Sequence, residues 1–308
     1  MSSKTVLVTG AFGFLGRAVG RCFKREGFRV VGMGHGHWDP TDAYTHGIDR
    51  WVNSTILLSS LTNLEETFDV VVHCAGSGSV GYSITNPLQD FNKSVGSTIE
   101  LLEYIRLNLP DAVLIYPSSA GVYGAKEDAP IRETDHLNPI SPYGFHKKIS
   151  EECCESYSRN FGLNIKIIRF FSIYGPGLMK QLLWDALGEL LANKSKVELW
   201  GTGEETRDWI HVNDASALIL EVSRQPPSYE VYNGANGDRL TITDILTLLK
   251  ENICSPPLVS FNGLIRPGDP RFYHADVSGS KKIGWTPRIP LEAGIKEYLT
   301  WYRNFKNA

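Results

Sequence analysis

Tyr143 and Lys147 stand four positions apart in the run Ser141-Pro142-Tyr143-Gly144-Phe145-His146-Lys147. On a helix that interval puts both side chains on one face, one turn apart. An ammonium beside a phenol favours the phenolate, so Lys147 is expected to lower the pKa of Tyr143. A tyrosine tuned in this way gives and takes a proton near neutral pH. A second hydroxyl, Ser119, ends the apolar run Ala112-Val113-Leu114-Ile115-Tyr116 and its extension Pro117-Ser118-Ser119. Ser119 is expected to hold an alcohol or carbonyl oxygen while Tyr143 moves the proton. Ser119, Tyr143 and Lys147 are therefore the catalytic candidates. Tyr-x-x-x-Lys alone also suits an ordinary amphipathic helix, so its meaning depends on the elements around it.

Those elements begin at the N-terminus. Lys4-Thr5-Val6-Leu7-Val8-Thr9 is a short β-branched run that reads as a buried parallel strand. Gly10-Ala11-Phe12-Gly13-Phe14-Leu15-Gly16 follows, then a helical stretch from Arg17, then a second strand over Phe28 to Met33. Strand, glycine turn, helix and strand within roughly 30 residues is the dinucleotide-binding βαβ pattern. The turn lets backbone approach a pyrophosphate resting on the helix N-terminus. Gly10, Phe12, Gly13, Phe14, Leu15 and Gly16 are the cofactor candidates there. A third strand, Asp69 to His73, runs into Cys74-Ala75-Gly76. Ala75 and Gly76 stand at the carboxyl end of that strand, where an open parallel sheet meets its cofactor. A helix is expected from Leu88 to Leu107, a fourth strand from Ala112 to Tyr116, a helix from Tyr143 to Phe161 and a fifth strand from Asn164. The alternation predicts an α/β fold, a doubly wound parallel sheet of Rossmann type.

After Gly177 the rhythm changes to mixed short elements. The expected division is a dinucleotide-binding part over 1–175 and a smaller substrate lobe over 176–308. Part of the 207–234 stretch is free to return to the sheet.

Composition narrows the partners. The 308 residues carry 31 Lys and Arg against 34 Asp and Glu, a formal net charge of −3. No basic run is present, which argues against a nucleic-acid partner. No apolar signal region or spanning segment is seen, so neither membrane binding nor export is expected and a cytoplasmic location is. Five cysteines without Cys-x-x-Cys spacing fit reduced thiols. His35 and His37 lie in a glycine-rich loop without the companions of a metal site, and no metal is expected.

The motifs together resemble the extended short-chain dehydrogenase/reductase family, the NAD-dependent epimerases and dehydratases that act on nucleotide sugars. Thr9-Gly10-Ala11-Phe12-Gly13-Phe14-Leu15-Gly16 is similar to its glycine motif, and Ser118-Ser119-Ala120-Gly121-Val122-Tyr123-Gly124 to its serine motif. Tyr143-x-x-x-Lys147 resembles its active-site helix. The stretch Arg169 to Gly177 resembles the segment beside the nicotinamide, which makes Ile173 a cofactor candidate together with Tyr143 and Lys147. Thr206 to Asp214 resembles a stretch whose arginine meets the substrate diphosphate, and Arg266 to Asp269 belongs to the C-terminal signature. The resemblance implies Arg207 and Arg266 as diphosphate ligands; arginine suits phosphate oxygens. Ser79, with Gly78 and Gly81, leaves room for the sugar, and Ser119 touches it. A homodimer built from the 88–107 and 143–161 helices is also implied.

Three departures sharpen the reading. The second strand ends Met33-Gly34-His35-Gly36-His37, without the acid that holds the adenosine ribose. That leaves the cofactor as NAD or NADP, with His35 or His37 the candidate contact or a plain loop residue. Ser119-Ala120-Gly121 stands where dehydratases of the family carry acid residues, which disfavours water elimination. Ser172 stands where the family often has asparagine. The leading expectation is a nucleotide-sugar 4-epimerase working through a 4-keto intermediate. The alternatives are an NADPH-dependent 4-keto-6-deoxy nucleotide-sugar reductase and, more remotely, a non-catalytic NAD(P)-binding sensor.

Overall fold

Val6, Leu7 and Val8 are apolar in succession, so a strand built from them needs cover on both faces. The computed structural model, which describes residues 4–192, 194–264, 268 and 270–307, provides that cover. Seven parallel strands form the central sheet: β1 (Thr5–Thr9), β2 (Arg29–Gly34), β3 (Arg50–Asn53), β4 (Val70–His73), β5 (Val113–Ser119), β6 (Asn164–Phe170) and β7 (Tyr229–Gly234). Their spatial order is β7-β6-β5-β4-β1-β2-β3. Strand order reverses between β1 and β4, the crevice where doubly wound sheets take dinucleotides.

On one face the Phe14–Arg25 and Val212–Ser223 helices pack Val19, Phe23, Leu218 and Ile219 against Val6 and Val8. On the other, Leu101, Leu102 and Ile105 of the Ser97–Asn108 helix and Cys154 of the Pro142–Phe161 helix meet Leu7, Val71, Leu114 and Ile165. β3 and β7 were not read from the sequence. β3 is a four-residue edge strand bearing Arg and Asn, and β7 mixes Glu and Asn into its run. Neither has the apolar signature of the inner strands. The expected 88–107 helix is interrupted: Pro87–Phe91 and Ser97–Asn108 are α-helical, and Asn92–Gly96 between them is a wider π turn.

The Pro142–Phe161 helix has clear end signals. Ser141 Oγ accepts from Gly144 N at 3.2 Å, Pro142 opens the first turn, and Gly162 closes the helix at φ 71°. A second cluster lies beyond the sheet edge. Tyr174, Leu183, Leu187, Ile245, Leu249, Ile295 and Tyr298 join the Gln181–Leu190, Ile242–Glu251 and Leu291–Asn307 helices there.

Candidate active site

The glycine turn is built for close approach. Gly10 sits at φ 66°, and a Cβ there would stand 2.6 Å from Ala75 N. A Cβ on Gly16 would stand 2.3 Å from Gly10 O. Gly13 is the N-cap of the Phe14–Arg25 helix and has no side chain to bond the first-turn N–H groups. Those groups suit a pyrophosphate, so the residues present fit a dinucleotide. Ala75 and Gly76 lie beside this turn, Ala75 N donating to Thr9 Oγ1 at 3.3 Å. Phe14 packs under Gly177, and Leu15 and Ile173 are half-buried against the sheet core.

At the far end of β2, Gly34 and Gly36 adopt φ 153° and 135°, and a Cβ on Gly36 would meet the Phe12 ring at 2.5 Å. Phe12 therefore packs under this loop, against Trp38 at 4.8 Å between ring centroids. His35 and His37 are exposed. Arg17 was not singled out from the sequence, where it reads as one helical residue among several. Its Nε donates to Phe12 O at 2.8 Å, and its guanidinium lies over the Phe12 ring at 4.6 Å and the Trp38 ring at 5.3 Å.

The carboxyl end of β5 brings the hydroxyls together. A Cβ on Gly121 would lie 3.4 Å from Ser119 Oγ and 3.5 Å from the Tyr143 ring. Gly121 thus leaves the space in which the two side chains meet. Its N–H donates to Ser119 Oγ at 3.1 Å. Lys147 is buried one turn further on; Nζ donates to Pro117 O at 2.9 Å and lies 4.6 Å from the Tyr116 ring centroid.

The electrostatics differ from the expectation. Burial pushes the Tyr143 phenol above its ordinary pKa, its hydrogen bond with Ser119 opposes this, and the Asp90 carboxylate adds to the rise. Burial takes Lys147 down to about 8 against the pull of Cys74, Glu151, Asp90 and Cys154. The sequence reading assigned Lys147 the dominant effect on Tyr143, whereas desolvation dominates here. Lys147 is turned to the Pro117 carbonyl and the Tyr116 ring.

The helix is clamped from below. Arg169 on β6 donates from Nη2 to Glu151 Oε2 at 2.8 Å, and its Nε reaches both carboxylate oxygens. Ser118 Oγ donates to Glu151 Oε1 at 2.5 Å. Both Arg169 and Glu151 are buried. β5, β6 and the Tyr143 helix are thereby held in one register.

The substrate candidates spread over the cleft. Ser79 caps the Val80–Thr85 helix, accepting from Tyr82 N at 3.2 Å. Arg207 lies 6.0 Å from the Tyr273 ring centroid, and Tyr273 Oη donates to Ala120 O at 2.8 Å, one residue from Ser119. Arg266 lies outside the described residues. Lys180, missed in the sequence, donates from Nζ to Gly78 O at 2.9 Å across the cleft. Its only sequence signal is a lysine soon after Gly177. Among the described residues, no group of three His, Cys, Asp or Glu side chains is placed to hold a metal ion.

A glycine turn on an uncapped helix at the switch point of a parallel sheet defines a dinucleotide-binding Rossmann protein. The particular lineage follows from comparison with known proteins. The NAD dependent epimerase/dehydratase family matches residues 6–235, and this chain belongs to it. It is 27% identical to UDP-glucuronate 4-epimerase 5 of Arabidopsis thaliana, over 98% of this chain and 76% of that protein. It is 26% identical to the UDP-glucuronate 4-epimerase of Thermodesulfobacterium geofontis, over 96% and 95%. Among solved structures it is similar to MoeE5 in complex with UDP-glucose and NAD, with TM-score 0.86 and 26% identity over 98% of this chain and 99% of that one. UDP-glucuronic acid 4-epimerase from Bacillus cereus, in complex with UDP-glucuronic acid and NAD, gives TM-score 0.89 and 25% identity over the same shares.

Proposed function

We propose that this protein is a nucleotide-sugar 4-epimerase acting on a UDP-hexose or UDP-hexuronate with a bound NAD. The observation that carries the reading is the meeting of Ser119 Oγ and the Tyr143 ring around Gly121 at the sheet edge where a dinucleotide ends. In this reading Ser119 holds the C4 oxygen and Tyr143 takes its proton. When bound, the oxidised nicotinamide would take the C4 hydride and later give it back, and its positive charge favours the phenolate. The 4-keto sugar turns over, and Tyr143 returns the proton while the C4 centre is rebuilt on its other face. Lys147 keeps the site cationic. Arg207 and Arg266 take the diphosphate, with Ser79 beside the sugar. Ala120 and Gly121 supply no carboxylate for an elimination, which supports epimerisation over dehydration.

One observation favours the second reading, an NADPH-dependent 4-keto-6-deoxy reductase. β2 ends without an acid, and Arg17 lies beside that loop. Incubation with UDP-glucose, UDP-glucuronate and their 4-epimers, followed by NMR of the anomeric protons, separates the two. Interconversion without net cofactor change is expected. Stoichiometric NADPH oxidation with a 4-keto-6-deoxy sugar, and no interconversion, would replace the epimerase by the reductase.

The same reading assigns 1–175 to the cofactor and 176–308 mainly to the substrate, with β7 and the Val212–Ser223 helix returned to the sheet. A homodimer is supported by exposed Leu88, Phe91, Leu107, Phe145 and Phe161 on the helices over 87–108 and 142–161. A cytoplasmic location agrees with nucleotide-sugar chemistry. Among the described residues no helix is long and apolar enough to cross a membrane.

A further inference from the structure

Asp90 is fully buried, yet it belongs to no part of the chemistry described above. It sits on the Pro87–Phe91 helix, which packs against the Tyr143 helix. Its Oδ2 accepts from His146 Nδ1 at 2.5 Å, and that ring is held edge-on by Phe91 at 5.4 Å. A carboxylate only accepts, so Nδ1 carries the proton. Among the described residues, Asp90 Oδ1 has no hydrogen-bond partner. A buried carboxylate with one bare oxygen is costly unless a positive group nearby offsets it. His146 lies between Tyr143 and Lys147 in sequence, and both of these feel the Asp90 charge.

We propose that the Asp90–His146 pair is a positioning element of the active centre, in which His146 fixes the carboxylate and the carboxylate places a buried negative charge against the helix that carries Tyr143 and Lys147. The groups facing Lys147 make this assignment specific. Tyr116 and the Pro117 carbonyl come from β5, His73 lies on β4 with Cys74 just after it, and Glu151 and Cys154 lie on its own helix. Glu151 is committed to Arg169 and Ser118. Burial raises the thiols Cys74, to about 12, and Cys154, so both are neutral at pH 7. Asp90 is the carboxylate among these groups that is not already neutralised by an arginine. Burial raises the Tyr143 phenol above its ordinary pKa, and the same charge adds to that rise. The pair thus sets the acid–base balance of the centre from outside it.

The test isolates one phenol. The tyrosinate absorbance that Tyr143→Phe removes is titrated in the wild-type and Asp90→Asn backgrounds. Asn keeps the shape and accepts the His146 hydrogen bond, so only the charge is lost. The Tyr143 midpoint is expected to fall by about one pH unit, and Asp90→Glu to restore most of it. Asp90→Ala carries the same expectation should Asp90→Asn not fold, because it also removes the charge. A midpoint unmoved in a natively folded variant overturns the proposal. A second arm rests on the 4-epimerase reading: the alkaline limb of kcat should move to lower pH in Asp90→Asn, as Lys147 loses its proton earlier. A shifted titration with no turnover of any UDP-sugar sinks the epimerase reading and leaves the pair standing; turnover with an unmoved titration does the reverse.

Discussion

The two ends of the dinucleotide crevice are held by different physics. At the β5 end, Ser119, Tyr143 and Lys147 rest on a buried polar frame of Glu151, Arg169 and Ser118. At the β2 end, Phe12, Trp38 and Trp51 pack at tilted and edge-on angles beneath a glycine loop, with Arg17 lying across the first two. The first end fixes atoms to ångström precision through charge-assisted hydrogen bonds. The second offers aromatic surface and one guanidinium to whatever adenosine it receives. Rigid geometry is spent where a proton moves, and adaptable contact where a nucleoside only has to be held.

The largest effect should come from breaking the first end at its reacting atom. Tyr143→Phe removes the proton carrier and leaves the ring that meets Ser119. The expected loss in kcat is about a thousandfold, with KM little changed. Steady-state kinetics on whichever UDP-sugar proves active would show it, and a variant with full activity would remove Tyr143 from the mechanism. Next comes the frame. Arg169→Met leaves Glu151 as an uncompensated buried charge, at a cost of about 3–5 kcal/mol in urea unfolding. A cost below 1 kcal/mol would show that water reaches the frame.

His73 joins the two ends, and it supplies the third prediction. Nδ1 meets Thr9 Oγ1 at 2.7 Å behind the glycine turn, and Nε2 meets Ser97 Oγ at 3.3 Å on the opposite helix. Burial lowers its pKa to about 3, with Lys147 contributing. The folded value lies below the ordinary 6.5, so folding favours the neutral ring. That contribution is complete above pH 6.5 and is lost progressively as pH falls toward 3. Between pH 7 and 5 the loss should be about 2 kcal/mol, and His73→Gln should flatten that slope. An unchanged slope would place the acid sensitivity elsewhere.

The sequence carried the β5 end better than the β2 end, for physical reasons. Ser119 lies at a strand end and Tyr143 with Lys147 at a helical interval, and the strand–helix order with the motifs they resemble brings them to one edge. The sign of the Tyr143 shift was not legible. It depends on burial and on Asp90, which lies on another helix and is brought near only by packing. β3 was hidden because it is only four residues long, is polar at both ends and is partly exposed, as edge strands often are. Arg17 was hidden because its neighbours Phe12 and Trp38 come from a turn and a loop, and nothing local says that they stack.

Arg17 gives the smallest and most discriminating prediction. The β2 end has lost the acid that repels a 2′-phosphate, and Gly34 and Gly36 contribute no charge of their own. Burial lowers the Arg17 pKa, with Asp42 opposing, yet a guanidinium stays charged at any working pH. Its Nε is tied to the Phe12 carbonyl, which aims the rest of the fork away from that bond. Arg17→Met keeps a flexible apolar stem on the rings and removes only the charge. Affinity for NADP should fall about tenfold, as read by calorimetry on the apoprotein, while affinity for NAD changes less than about threefold. Equal losses for both cofactors would mean that Arg17 merely braces the aromatic stack. In that case the β2 end would not read the 2′-position, and the contrast with the β5 end would be one of packing alone.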